Sequence, residues 1–217
     1  MKNITHIIRK NKRGIVGIEA AIVLIAFVVI AAALAYVVIN MGFYSAQKAK
    51  STIDKGIQEA TSALELDGFI AGKTNATEGT NATAITFLAI PIKLAVGQEQ
   101  VDMAQNTVVV AVQGANFSLA NIYSGAVTST DKNVANLMAL VTGAPNATCF
   151  IYNSELDTDT VLKQNAKAYI IINLGDTYAL TSYAKVKVEI RTSRGAALMI
   201  QREIPGGLPT DKLVDLG

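Results

Sequence analysis

The chain has 217 residues, 51% of them hydrophobic, and a formal net charge of +2 at pH 7. This length accommodates one long helix and one globular domain, and the small net charge excludes nucleic-acid binding over the whole surface. The only histidine is His6 and the only cysteine is Cys149. The body of the chain therefore has no histidine for acid–base catalysis or metal binding, and Cys149 has no partner for an intrachain disulfide.

The amino-terminal segment holds five basic residues and no acidic residue. They are Lys2, Arg9, Lys10, Lys12 and Arg13. Removing these five from the 19 basic residues leaves 14 basic against 17 acidic side chains, a net charge of −3. A mildly acidic body fits neither a DNA-binding protein nor a polybasic protein of the membrane surface.

An apolar helix is predicted next, because residues 20–39 are twenty uncharged residues without glycine or proline. At about 1.5 Å per residue this run spans roughly 30 Å, the thickness of bilayer hydrocarbon. The plain interpretation is a signal anchor with its basic flank in the cytoplasm. A cleaved secretory signal fits less well, because residues 36–44 continue the helical pattern where a cleavage site would be expected.

Two features go beyond a simple anchor. Lys12-Arg13-Gly14 stands before the apolar run, and Glu19 is a lone acid at its start. A carboxylate near hydrocarbon is costly and usually has a partner or a function. If the chain is cut after Gly14, Ile15 becomes the amino terminus, and Glu19 could pair with the new amine or with a neighbour's.

Residues 12–68, beginning KRGIVGIEAAIVLIAFVVIAAALAYVVI, resemble the class III signal peptide and core helix of archaellins, the archaeal flagellins. They are also similar to the wider type IV pilin superfamily. Gly17 is the archaellin-like feature, and Glu19 is the pilin-like one. The resemblance implies cleavage between Gly14 and Ile15 by a prepilin-type peptidase. It further implies insertion in the cell membrane, then assembly by an archaellum or pilus ATPase and membrane platform into an extracellular homopolymer.

The helix is predicted to continue to Asp67, about 80 Å from Ile15, with Gly68 as its stop. In its later part Ile53, Ile57, Ala60 and Leu64 recur at helical spacing and so share one face. A rod of this length must lie in lipid or in a bundle, and a non-closing interface between rods gives an open filament. The residues expected to serve assembly are Gly17, Glu19, Ile25, Phe27 and Tyr36.

The rest of the chain is β-rich. Strands are predicted over residues 84–90, 107–113, 148–153, 168–174 and 185–191, and residues 133–140 fit either a short helix or a buried strand. Lys185–Arg191 alternates strictly, and the turn at 193–196 makes it a hairpin with a returning strand in which Leu198, Ile200 and Ile204 face inward. The closing residues 185–217 also resemble the archaellin tail, which implies an immunoglobulin-like outer domain.

The predicted fold class is α+β, a long hydrophobic helix followed by a β-sandwich. The expected organisation is a leader over residues 1–14, a core helix over 15–67, a linker over 68–83 and an outer domain over 84–217.

Four asparagines in the expected exterior begin N-x-S/T sequons, and a fifth, Asn3, does so in the leader. The four candidate glycosylation sites are Asn75, Asn81, Asn116 and Asn146. Glu155, Asp157 and Asp159 could bind a hard cation, but a solvated turn is the favoured interpretation. No metal site and no cofactor are predicted.

The predicted function is a structural subunit of the archaellum filament, used for swimming, with no catalysis by this chain. An adhesive pilus or fibre subunit would share the leader and helix, and a membrane-anchored accessory protein of the archaellum would keep its helix in lipid. A secreted enzyme is the weakest alternative, because no nucleophile–base pair is available without histidine.

Overall fold

The computed structural model describes residues 13–60, 63–75, 83–97, 100–152 and 160–217. The chain divides into two compact units between Asp54 and Lys55. The first unit is helical and the second is β-rich. Helix α1 spans Arg13–Ala60, and the elements that follow it in chain order are β1 (Leu64–Leu66), β2 (Ala71–Thr74), β3 (Ile85–Leu94), β4 (Gln100–Asp102), β5 (Val109–Gln113), β6 (Ser118–Leu119), β7 (Tyr123–Thr128), α2 (Val134–Leu140), β8 (Asn146–Tyr152), β9 (Val161–Lys163), β10 (Lys167–Asn173), β11 (Lys185–Arg191), β12 (Leu198–Glu203) and β13 (Leu213–Asp215).

Helix α1 is shorter than the sequence suggests. It has 48 residues and ends at Ala60, whereas the helical spacing predicted an end at Asp67. Leu64 to Leu66 instead form β1, paired antiparallel with the end of β3, and Leu64 is buried in the β-rich core. Long-range pairing and burial thus override the local pattern. The outer domain starts at β1, and β2 occupies part of the predicted linker.

The larger sheet has seven strands in the order β13–β2–β3–β10–β8–β7, and β1 also pairs with β3. Its pairs are antiparallel except β7 with β8. Pro91 lies within β3, between the stretches that pair with β2 and with β1, and its carbonyl accepts a hydrogen bond from the Asp67 amide at 3.1 Å. The N–H and C=O groups of a strand residue point to the same neighbouring strand. The carbonyl of Pro91 points toward β1 and β2, so the N–H that proline lacks would also point there, and no hydrogen bond of the ladder with β10 is lost.

The smaller sheet has the order β12–β11–β5–β6. The predicted hairpin is present as β11 and β12, with Val188 opposite Ile200. Ile200 and Ile204 are buried, and Leu198 packs half-buried against the same core. Strands β4 and β9 form a separate two-stranded pair.

The two larger sheets pack face to face around the main core. Ile170 and Ile172 of β10 and Val188 and Ile190 of β11 belong to a single buried cluster. The alternate residues of β11 are exposed or half-buried, as expected for a strand with one face to solvent. The predicted α+β class with a β-sandwich is confirmed.

Helix α2 covers the opposite face of the seven-stranded sheet. Leu137 and Met138 pack with Ile171 and Phe150 in a second buried cluster. Strand β10 is therefore buried on both faces, which explains its continuous apolar run. The two open alternatives for residues 133–140 resolve as a helix, with the Asn133 side chain accepting a hydrogen bond from the amide of Ala135 at 3.0 Å.

Asn173 fastens α2 to the end of β10. Its Nδ2 donates to the carbonyls of Val141 and Gly143 at 3.0 and 3.1 Å. Its Oδ1 accepts from the Gly175 amide at 3.0 Å. This polar side chain is only 8% exposed, and its hydrogen bonds are what make its burial tolerable.

Candidate assembly interface

The first part of α1 is an apolar rod whose side chains are exposed on every side. Every large apolar side chain from Ile18 to Tyr44 keeps at least half of its surface accessible. Helix α1 is long and apolar enough, by length and composition, to cross a membrane, because it contains an 18-residue stretch with a mean hydropathy of 3.2. Covering one such side chain stabilises by roughly 1.5–3 kcal/mol, so the rod needs lipid or other helices around it.

The side chains expected to serve assembly surround this rod. Ile25, Phe27 and Tyr36 are 62%, 75% and 70% exposed. At about 100° per residue, Ile25 and Tyr36 fall on one side of the helix and Phe27 on the opposite side. They therefore suit a bundle in which α1 is contacted from several directions.

The beginning of α1 contains the predicted cleavage position. Gly14 and Ile15 lie in its first turn by backbone conformation, and Lys12 lies outside the described residues. Gly17 has nothing within 4 Å of the place where a Cβ would stand, so nothing in its own chain requires a glycine there. A missing side chain would let another helix approach closely. Glu19 is exposed.

The later part of α1 is amphipathic. Ile53 and Ile57 are 60% and 57% exposed on the predicted apolar face. Leu64 was expected on the same face but belongs to β1. The Thr52 hydroxyl donates to the Lys48 carbonyl at 2.9 Å, a back-bond that tends to bend helices.

The predicted sequons have different surroundings. Asn116 is exposed in the turn between β5 and β6, which a hydrogen bond from the Gly114 amide to the Phe117 carbonyl closes at 3.0 Å. Asn146 is half-buried, and its Nδ2 donates to the Thr142 carbonyl at 2.9 Å.

Asn75 is also half-buried, and its Oδ1 accepts from the Ala84 amide at 3.2 Å. Asn3 and Asn81 lie outside the described residues. The same is true of the candidate cation ligands Glu155, Asp157 and Asp159, and the described residues contain no group of three or more His, Cys, Asp or Glu side chains suited to a metal ion.

An ion-pair cluster fixes β1 and the turn after it to the large sheet. Lys167 Nζ lies 2.7 Å from Asp67, and Lys93 Nζ lies 3.0 Å from Glu65 and 3.7 Å from Asp67. The hydrogen bond from Lys167 is the main cause that lowers the pKa of Asp67, and the bond to Glu65 is the main cause that raises the pKa of Lys93. These pairs stabilise the start of the outer domain, where a helix had been expected.

The cysteine and its tyrosine neighbour belong to the core. Cys149 is fully buried in β8, and burial raises its pKa to about 12. The hydroxyl of Tyr123 donates to the Met103 carbonyl at 2.6 Å, and burial raises the pKa of Tyr123 above its ordinary value. Cys149 is thus a buried core residue and not a reactive thiol.

The sequence did not predict some residues and strand pairings that hold the β-rich unit together. Asn173 lies inside the strand predicted over residues 168–174 and ends the observed β10, and no local pattern marks its side chain as the link to α2. Strands β2 and β13 pair although Lys73 and Leu213 are 140 positions apart. Strand β2 was not predicted because the polar stretch after it is typical of a linker. Strand β13 was not predicted because it lies in a tail that contains proline and glycine.

Comparison with known proteins agrees with this architecture. The archaeal-type flagellin family matches residues 14–202. Probable flagellin 1 of Aeropyrum pernix is 40% identical over 212 residues, which cover 96% of this chain and 100% of that protein. Probable flagellin 2 of Archaeoglobus fulgidus is 32% identical, over 91% of this chain and 92% of that protein.

Solved structures show the same fold. The archaeal flagellum of Methanospirillum hungatei strain JF1 is 27% identical with a TM-score of 0.52, over 88% of this chain and 95% of that one. Archaeal flagellin FlaB1 of Methanocaldococcus jannaschii is 17% identical with a TM-score of 0.57, over 72% of this chain and 97% of that one.

A β-sandwich preceded by an exposed apolar helix, which together match 95% of the chain from an archaeal flagellum, places this chain in the class of filament-forming structural subunits. Within that class, the chain belongs to the archaeal-type flagellin family.

Proposed function

We propose that this chain polymerises into an archaeal flagellar filament, with α1 in the filament core and the sandwich outside. The observation that carries the proposal is the all-round exposure of the apolar part of α1, which lipid before assembly and copies of the same helix after assembly would cover. The similarity to the flagellum of Methanospirillum hungatei over 95% of that chain supports it. The chain acts as a structural element, and ATP hydrolysis belongs to the assembly machinery.

Before assembly, the chain lies in the cell membrane with its basic leader on the cytoplasmic side. The length and hydropathy of α1 support this stage. A prepilin-type peptidase cuts between Gly14 and Ile15, and an assembly ATPase with its membrane platform then moves α1 from lipid into the filament. Gly17, Glu19, Ile25, Phe27 and Tyr36 contact neighbouring helices there.

The cleavage step has a direct test. Replacing Gly14 by leucine places a bulky side chain at the cut, so the precursor should accumulate in the membrane and filaments should disappear. Amino-terminal sequencing of the membrane-bound and filament-bound chain is the measurement. Normal removal of the leader in this variant would show that the cut lies elsewhere.

Glycans on the exterior are a further part of this proposal. Asn116 is the best placed acceptor among the described sequons, because it is exposed in a turn and an acceptor asparagine must be reachable. Nδ2 of Asn146, where a glycan would be attached, already donates to a carbonyl. Peptide mass spectrometry of filaments should find Asn116 modified most completely, and unmodified peptides for every sequon would end this part of the proposal.

Deletion of the gene distinguishes swimming from adhesion. Loss of swimming with surface attachment intact is the expected result for a flagellar subunit. Intact swimming with loss of attachment would assign the chain to an adhesive fibre. Recovery of the chain only in membranes, with filaments lacking it, would assign it to an anchored accessory protein.

A further inference from the structure

Glu19 poses an electrostatic problem inside any assembled bundle. It is the only charged residue between Gly14 and Lys48, and the rod around it is apolar on every side. A charge covered by apolar surface is costly unless a cation pairs with it. The cations that the structure describes further along α1 are Lys48, Lys50 and Lys55.

The helical positions of these lysines distinguish them. Gly42, Ala46, Ala49 and Ile53 form a strip of small and apolar residues along one side of α1. At about 100° per residue, Lys50 lies roughly 70° from the middle of this strip, and Lys48 lies roughly 130° away on the far side. A helix that packs on the strip is therefore within reach of the flexible Lys50 side chain only.

Lys55 lies roughly 150° from the middle of the strip, on the same far side as Lys48. The acids four residues after Lys50 and Lys55 are Asp54 and Glu59, and in both pairs the base precedes the acid, which is the less favourable order for an ion pair within a helix. Lys50 is thus the cation of α1 that is best placed for an acid brought by another copy.

We propose that Glu19 of one copy pairs with Lys50 of a neighbouring copy and thereby sets the axial offset between their α1 helices. The inference rests on the proposed filament function and names the partner of Glu19. The two residues are 31 positions apart, so parallel helices are offset by about 46 Å at a rise of about 1.5 Å per residue. At this offset Ile22 of one copy lies level with Ile53 of the other, so the first two turns of the cleaved helix, residues 15–22, lie along Ala46, Ala49 and Ile53.

The amine created by cleavage before Ile15 does not replace this contact. It would lie one turn before Glu19 on the same helix, so it would be present at every offset between copies. A pair within one chain therefore cannot select an offset. The amine of a neighbouring copy would select an offset of only about 6 Å, and equal yields for Lys50→Glu and Lys48→Glu would favour that amine over Lys50 as the partner of Glu19.

Charge reversal tests the proposal in cells that express the full chain. Lys50→Glu should lower the yield of filaments by at least about tenfold, because it places two carboxylates together in a covered site. The matched control Lys48→Glu, on the far side of the helix, should stay within about threefold of the unmodified chain. The double variant Glu19→Lys with Lys50→Glu should restore most of the yield.

Membrane-bound chain is quantified for each variant, so that only assembly is compared. If a reversed charge prevents accumulation in the membrane, the neutral variants Glu19→Gln and Lys50→Gln are compared singly and together, and pairing requires a double effect smaller than the combined single effects. Equal yields for Lys50→Glu and Lys48→Glu, or additive neutral variants, would overturn the pairing. Failure of the proposed function is distinct, because filaments would then lack even the unmodified chain.

Discussion

Replacement of Asn173 by alanine tests whether one buried side chain fastens α2 to the large sheet. The change removes two donated hydrogen bonds and one accepted bond. It leaves the carbonyl of Val141, a residue only 4% exposed, without this donor. With a net loss of about 1 kcal/mol per hydrogen bond and about 1–3 kcal/mol for a stranded buried acceptor, the free energy of unfolding should fall by roughly 2–4 kcal/mol.

Urea unfolding of the β-rich unit, Lys55–Gly217, followed by near-ultraviolet circular dichroism of its tyrosines, measures this effect. For a slope of about 2 kcal/mol per molar urea, the midpoint should fall by roughly 1–2 M. The matched control is Asn136→Ala. The Asn136 side chain donates to Asp131 at 2.9 Å on the exposed side of α2, so its loss should cost less than about 1 kcal/mol. Equal midpoints for the two variants would refute the role assigned to Asn173.

Three further predictions concern the β-rich unit. Asp67 has a lowered pKa beside Lys167, so its stabilising effect is complete above the unfolded pKa and is lost as the pH falls through the lower folded pKa. Asp67→Asn should therefore reduce the acid-induced loss of stability by about 0.5–1 kcal/mol in unfolding measured at pH 6 and pH 2.5, and an unchanged difference would contradict the ion pair. Cys149 should resist iodoacetamide at pH 8 until urea unfolds the chain, because burial raises its pKa to about 12; rapid alkylation of the native protein would show an open core. Gly175→Ala should destabilise by more than about 1 kcal/mol, because Gly175 has φ +64° and a Cβ there would stand 2.7 Å from Ala144, whereas Gly97→Ala, at φ +92° with nothing within 4 Å, should cost less; thermal unfolding that reverses this order would contradict the packing.

Local pattern predicted the elements whose stability is local. The apolar run of α1 and the strict alternation of Lys185–Arg191 each match one periodicity, and both elements are present. The strand β10 was also found, but its burial on both faces depends on α2, which the sequence left open between helix and strand. Helical spacing alone cannot reveal that a second layer of structure covers a sheet.

The end of α1 shows where the local pattern fails. Leu64 continues the spacing of Ile53 and Ile57, yet it pairs with Leu94, thirty positions later. The energy of that pairing and of burial in the sandwich comes from residues that no short window contains. The same reason hid the pairing of β2 with β13.

The candidate interface was predictable in its chemistry and not in its geometry. Twenty uncharged residues without glycine or proline already require lipid or a bundle, and the structure exposes them on all sides. Which residues of two copies meet depends on the offset between helices, and a single chain does not contain that offset. The lone charge of Glu19 supplies the one chemical constraint on it.

Cryo-microscopy of native filaments tests the central claim most directly, because it shows the identity of the subunit and the path of its helix together. The expected density begins at Ile15, follows α1 through the filament core and places the β-sandwich outside. Filaments whose core is built from another chain, or whose subunits retain residues 1–14, would contradict the account.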